Sequence, residues 1–536
     1  SRTASGKPLV AGDPHRPLET PNVYYQNHIS CPEFDAIGLS FPGIPAFPHF
    51  GHNAYVAWSV THAAADYQDL YVEQFKLGSK TIYRVEEGWS EAELRHEKIV
   101  VRDSLTVDMD VVVTRHGPII SGDTSTENAI AFRYTATDEP NTGFDCLLPM
   151  IACKSADEME ESVRDWVDPC NNFVFADVGG DIGYLTRGRL PIRGIENAWL
   201  PVPGWSGNHE WKGNVPFEEL PRIRNPEGGI IVTANNKIVD DNYRHYIALD
   251  FTPEFRARRI TERLESFGDA TAEDMALVHA ESISTPAGVY KNALVGIKPT
   301  DDISAEAIER MREWDGDMKS SSVAATIYST FRWFLDHALL RHALGPLYDE
   351  AVAAGGRGAP LHIRRLQQKF VEAAGSNDHS VLPTGMDWPK VMSRAMADGL
   401  AYLTERLGDD INAWRWGEVH FTKPRHILSE LFPEMADLLD PPSLPMGGDG
   451  DTPLAAAYSV SEPFTVVTTS VSRYVFDLGD WDKSAWIVPL GSSGNAGSQH
   501  YADQAPIWGE TRLIPMLYDW KKIKAQSEAH QQLQKL

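Results

Sequence analysis

Strand-like and helix-like hydrophobic patterns follow one another in blocks along this 536-residue chain, and that order limits its fold more than any other feature. The stretches "KPLVAG", "VYYQNHI", "YVAWSVT", "LYVEQF", "IVVRDSLTVDMDVVVT" and "NAIAFRYTA" are short apolar runs bounded by turn residues, so the first part predicts strands. "NNFVFADVGGDIGYLTRGRLP" predicts a hairpin that turns at "GGD". From "RARRITERLESF" through "AEAIERMREW", "AATIYSTFRWFLDHALLRHAL" and "IRRLQQKFVEAA" the apolar residues recur at helical spacing. Beyond the Gly/Pro-rich "DPPSLPMGGDGDTP", "RYVFDLG" and "SAWIVPLG" again read as strands. The tail from Met516, "MLYDWKKIKAQSEAHQQLQKL", reads as a polar surface helix. Such blocks do not build the alternating βαβ units of a doubly wound sheet; they predict an α+β fold. Residues 1–260 would form the first β-rich part of a core, 261–440 a mainly helical lobe, and 441–536 strands returning to the core plus a terminal helix.

Charge narrows the function classes. A net charge of -26 opposes nucleic-acid binding, which needs a concentrated basic face, and leaves carboxylates for a hard cation such as calcium. No stretch approaches the ~20 consecutive apolar residues of a membrane span. The chain has no GxGxxG at a strand-to-helix turn, no GxxxxGK[ST] and no HExxH, so no motif supports nucleotide or zinc-peptidase chemistry. "GGDGD" lacks the Lys-Ser/Thr of a phosphate loop and reads as a surface turn. The four cysteines show no CxxC spacing. Cys146 and Cys153 are close enough in sequence to pair, and isolated buried thiols fit as well.

Four segments set polar residues directly against apolar pattern: "AGDPH", "FGHNAYVAWSVTHAAADYQDLYVE", "TANNKIVDDNY" and "FRARRIT". Singly, His15 is a turn histidine, Asn235-Asn236 a strand end, and Arg256 to Arg259 a solvated helix face. Together and in this order, with "SRTASGKPLVAGDPH", "LPVPGW" and the C-terminal "DLGDWDKSAWIVPLGSSGNAGSQHYADQ", they resemble the β-subunit of the penicillin acylase family, which belongs to the N-terminal nucleophile hydrolases. The resemblance covers most of the chain and is weakest in the helical middle.

The resemblance implies a four-layer αββα sandwich and an amidohydrolase whose nucleophile is the first residue of the β-subunit, a serine freed when the precursor cuts itself. A serine hydroxyl needs a base beside it, and a free α-amine of pKa about 8 can serve. Ser1 is then the nucleophile with an unusually short lead, or a turn residue behind a nucleophile that precedes this stretch, since relatives begin with Ser-Asn-x-Trp ahead of it. By the same resemblance His15 orients the nucleophile's surroundings, and the backbone N–H of His62 and the side-chain amide of Asn235 form the oxyanion hole. Arg259 is the nearby cation that favours a neutral amine. Asp66, Asp69 and the Gln68 carbonyl, with Asp240 or Asp241, would hold a structural Ca2+. A smaller α-subunit from the same precursor would be the partner, and the enzyme would be exported to the periplasm or beyond. Expected substrates are β-lactam antibiotics, N-acyl-homoserine lactones or N-acyl amino acids. An esterase or lactonase on the same scaffold, or a catalytically inactive binding homologue, are the alternatives. Arg16 stands where some relatives carry an apolar residue against the acyl group. His52, Asn53 and Trp58 read as core residues, and His500 and Tyr501 as structural.

Overall fold

The computed structural model describes residues 2–44, 47–138, 140–294, 296–353, 361–461 and 463–534. At its centre two antiparallel sheets face each other. One has seven strands in the order Arg222–Arg224, Ile182–Arg187, Asn171–Asp177, Val56–His62, Phe50–His52, Asp35–Ser40 and Tyr25–Ser30. The other places Leu9–Gly12 beside Arg473–Asp477, then Ala485–Ile487 and Ile514–Pro515. The beginning and end of the chain thus share one sheet. Val10, Tyr474 and Phe476 of the smaller sheet pack with Phe50, Trp58 and Phe173 of the larger in one core. The Ser59 and Tyr474 hydroxyls meet across it at 2.7 Å.

Helices cover both outer faces. Leu147–Ala152 and Ala156–Ser162 lie on the seven-stranded sheet and add Met150, Ile151 and Met159 to its core. Ala272–His279 lies on the smaller sheet, where Met275 and Val278 pack against Val475. A strand covered on both sides cannot alternate polar and apolar, which is why all five residues of "RYVFD" are buried. The layers run α, β, β, α, as the resemblance implied. The hairpin Asn171–Asp177 and Ile182–Arg187 turns at "GGD" as its sequence predicts. Helices between Thr285 and Leu407 build a second core around Tyr328, Phe331 and Trp414. A six-stranded sheet that includes Gln68–Gln74 and Asn128–Tyr134 stands apart from the central pair.

Two expectations are corrected. "GGDGD" is no surface turn. Asp449 and Asp451 are buried, and Asp451 pairs with Arg332 at 2.8 Å and Arg364 at 2.6 Å. Arginines from two helices neutralise it, and burial without them would be prohibitive. Gly448 sits at φ +75°, where a Cβ would come within 1.9 Å of the Leu454 carbonyl oxygen. The tail is helical only over Trp520–Gln526, capped by Asp519. The polar "SEAHQQL" beyond it offers no apolar stripe to pack, and a short isolated helix is unstable in water. Of the two states the sequence left open for the cysteines, the structure has the unpaired one: Cys31, Cys146, Cys153 and Cys170 are all free thiols. Alkylating the denatured, unreduced protein should therefore add four labels by intact mass, and fewer would reveal a disulfide.

Candidate active site

A cavity of about 1300 Å³ lies between the two sheets. Leu9–Gly12 and Asp13 to Arg16 bound one side, Val60 to His62 and Val174 another, and the extended segment Gly228 to Asn235 a third. Its apolar wall includes Tyr24, Phe41, Phe47, Phe50 and Leu147.

Asn235 is the best-defined polar group in this wall. Its φ of +64° is a left-handed conformation that Asn adopts more readily than most residues. Its Nδ2 donates to the His62 carbonyl at 2.9 Å, and its Oδ1 accepts from Arg256 Nη2 at 2.9 Å. Arg256 also donates to the Ala234 carbonyl at 2.8 Å, so one guanidinium fixes both the backbone and the amide plane. An amide NH2 has two hydrogens, and His62 takes one of them. Burial and the neighbouring Arg364 hold Arg256 down at a pKa of about 10, still charged near neutrality.

His62 ends its strand opposite Asn171 and faces the cavity. The Ala64 N–H donates to its Nδ1 at 3.0 Å, which puts a neutral ring's proton on Nε2. Desolvation and the Arg16 charge both push this ring below the usual histidine pKa. Asn172, which sequence reasoning missed, supports the same loop. Its Nδ2 donates to the His62 carbonyl at 3.2 Å and to the Thr61 and Thr233 hydroxyls at 3.0 and 2.9 Å. Its one signal was a pair of asparagines opening an apolar strand run.

His15 lies with its Nε2 3.3 Å from Asp13 Oδ2. Burial would raise the Asp13 pKa, but His15, Arg473 and His279 together hold it down at about 2. His279 shares this corner of the cavity. Arg16 lies over the Phe41 ring at 5.5 Å. Ser1 falls outside the described residues, while Arg2 and Thr3 line the cavity.

Two groups of expected residues part company. Arg259 does not reach Asn235; its guanidinium pairs with Glu281 at 3.2 Å and Glu262 at 3.0 Å. Arg256, three residues earlier on the helix Phe255–Ser266, takes the place expected of it. The proposed calcium ligands do not converge either. Asp240 accepts from the Asn242 N–H at 2.8 Å, and Asp241 pairs with Lys237 with its side chain 92% exposed. Gln68 opens the strand Gln68–Gln74 opposite Tyr134, and Asp66 and Asp69 are both paired with Arg193. Among the described residues no three His, Cys, Asp or Glu side chains are grouped to hold a metal. Calcium takes six to eight oxygens, and these residues do not fit it. His52 and Trp58 are fully buried and Asn53 nearly so, as core residues should be. His500 pairs with Asp503 and Glu528, and the Tyr501 hydroxyl donates to the Leu439 carbonyl, away from the cavity.

The profile of the penicillin amidase family matches residues 1–525. The chain is 40% identical over 536 residues to penicillin acylase 2 proenzyme of Pseudomonas sp. (strain SE83), covering 99% of this chain and 68% of that protein. It is 26% identical over 553 residues to acyl-homoserine lactone acylase QuiP of Pseudomonas aeruginosa, covering 96% of this chain and 65% of that one. It thus spans about two thirds of the length of these relatives. In fold it matches a thermostable penicillin G acylase from Alcaligenes faecalis, with a TM-score of 0.74 at 19% identity over 100% of this chain and 98% of the other. With the layered sheets and the Asn235 site already described, these matches place the chain in the penicillin amidase family of amide-hydrolysing enzymes.

Proposed function

We propose that this chain is the β-subunit of an acylase that cleaves N-acyl amides through an acyl-enzyme on an N-terminal serine. The observation that carries the reading is the Asn235 amide, held by Arg256 with one N–H on the His62 carbonyl and the other left for a ligand. The serine's own α-amine takes the hydroxyl proton, through a water, as the oxygen bonds to the substrate carbonyl carbon. The carbonyl oxygen becomes an anion, received by the Asn235 N–H and the backbone N–H of His62. Collapse of the intermediate expels the amine with the proton, and water then hydrolyses the ester. His15, beside Asp13, orients the nucleophile's surroundings. Aromatic walls suit an acyl chain. The exposed Arg16 guanidinium suits a polar acyl group or leaving group better than a plain phenylacetyl. β-Lactam antibiotics, N-acyl-homoserine lactones and N-acyl amino acids are the substrate classes. The partner is a smaller α-subunit of the same precursor, and the site of action the periplasm or the exterior.

The test uses the mature two-subunit protein. A serine-directed sulfonyl fluoride is expected to label the β-subunit's N-terminal serine and to abolish release of amine from a panel of N-acyl donors. A protein that neither takes the label nor turns over any amide overturns the reading. Turnover of matched esters with no amide turnover would make it an esterase.

A further inference from the structure

The turn from Asp66 to Asp69, which the resemblance would load with calcium, already holds a cation belonging to the chain. The Arg193 side chain is fully buried. Its Nη2 lies 2.9 Å from Asp66 Oδ2 and donates to the Asp66 carbonyl at 3.1 Å, while its Nε lies 2.7 Å from Asp69 Oδ2. Neutral donors complete the shell. The Tyr246 hydroxyl donates to Asp66 Oδ2 at 3.0 Å, and Asn197 Nδ2 and Trp211 Nε1 donate to Asp69 Oδ2 at 3.0 and 2.5 Å. Asp69 Oδ2 thus accepts three hydrogen bonds, which leaves it no capacity for a metal. The buried atoms without partners are Asp69 Oδ1, Asn197 Oδ1 and Arg193 Nη1. A divalent ion there would stand a few ångström from a guanidinium in a poorly screened site.

We infer that Arg193 performs the structural task of a bound cation, so that this protein holds the Asp66 turn without any divalent metal. Asp66 follows the His62 loop by four residues, and its N–H donates to the Ile247 carbonyl at 2.8 Å. Tyr246 and Ile247 belong to the stretch that leads from Asn235 to the helix bearing Arg256. Through Asp66 the guanidinium therefore links the two segments that carry the candidate oxyanion donors. It does so as a planar fork matched to two carboxylates, a geometry that lysine cannot reproduce.

Thermal unfolding of the mature two-subunit protein, with EDTA or with added Ca2+, tests this. The expected result is a Tm unchanged to within about 1 °C between the two conditions, because a ligand that does not bind shifts no equilibrium. Arg193→Gln should lower Tm by several degrees under both conditions, since the buried Asp69 and the half-buried Asp66 lose their counter-charge. A wild-type Tm that falls on chelation and recovers with Ca2+ overturns the inference, as does an Arg193→Gln protein with unaltered Tm. Should that variant fail to fold, the chelation comparison on the wild type decides alone.

Discussion

Asn235→Gly is expected to lower kcat/KM for amide hydrolysis by ~10²–10³-fold, or ~3–4 kcal/mol of transition-state stabilisation, with KM nearly unchanged. Glycine is the informative replacement because Asn235 sits at φ +64°, where alanine would add backbone strain to the loss of the amide. The effect falls on kcat because the second N–H meets full negative charge only once the carbonyl oxygen has become an anion. Arg256→Gln should act in the same direction but less, by ~10-fold, since the amide survives and only its orientation is freed. Arg259→Gln provides the contrast. Its guanidinium pairs with Glu262 and Glu281 and touches nothing in the cavity wall, so kcat/KM should stay within about twofold. If Asn235→Gly retained wild-type kcat/KM, or Arg259→Gln lost as much as Arg256→Gln, the oxyanion assignment would fall.

The arginine pair also marks where sequence reading ended. In "FRARRIT" three arginines lie within one helical turn, and nothing local says which of them turns inward. The deciding contacts are with Ala234 and Asn235, more than twenty residues away. Local pattern served better where the partner is also local. The hairpin of Asn171–Asp177 and Ile182–Arg187 was legible because two apolar runs flank a glycine turn. The Asn235 and His62 segments were legible only through resemblance, yet a 2.9 Å hydrogen bond joins them across 173 residues. "GGDGD" misled because its acidity is ordinary for a solvated turn, and its arginine partners come from helices far upstream. Asp66 and Asp69 misled for a related reason. Carboxylates suited to calcium suit a guanidinium equally, and Arg193 stands 124 residues beyond Asp69.

Acid should unfold this protein through histidines rather than through its surface carboxylates. Burial holds the His52 ring at a pKa of about 3, and those of His279 and His420 at about 4. Unfolded, each titrates near 6.5, so above that value neither state binds the proton and these rings cost nothing. Below it the unfolded chain takes up protons that the native state refuses, and stability falls with each step down in pH. The partly buried His28, His62 and His337 shift the same way. Opposing them, burial raises Asp336 to about 6, and burial with the neighbouring Asp451 charge raises Asp449 as well, so in mild acid the native state keeps protons on these two carboxyls that the unfolded chain has lost. With His49 also held at about 3, four rings stand against two carboxylates, so unfolding takes up a net of roughly two protons and the slope is ~3 kcal/mol per pH unit, with the raised His116 working the other way. Against a total of ~5–15 kcal/mol, that is enough to bring Tm down steeply between pH 6.5 and 4. His52 isolates the cause. Its ring stacks on Trp481 at 3.9 Å and donates from Nδ1 to the Asn53 carbonyl, so His52→Phe keeps the stack and loses both the bond and the titration. The variant should have a lower Tm at pH 7 yet a shallower decline toward pH 4. A wild-type Tm that stays level from pH 7 to 5, or an unchanged slope in His52→Phe, would shift the origin of acid lability to the carboxylates.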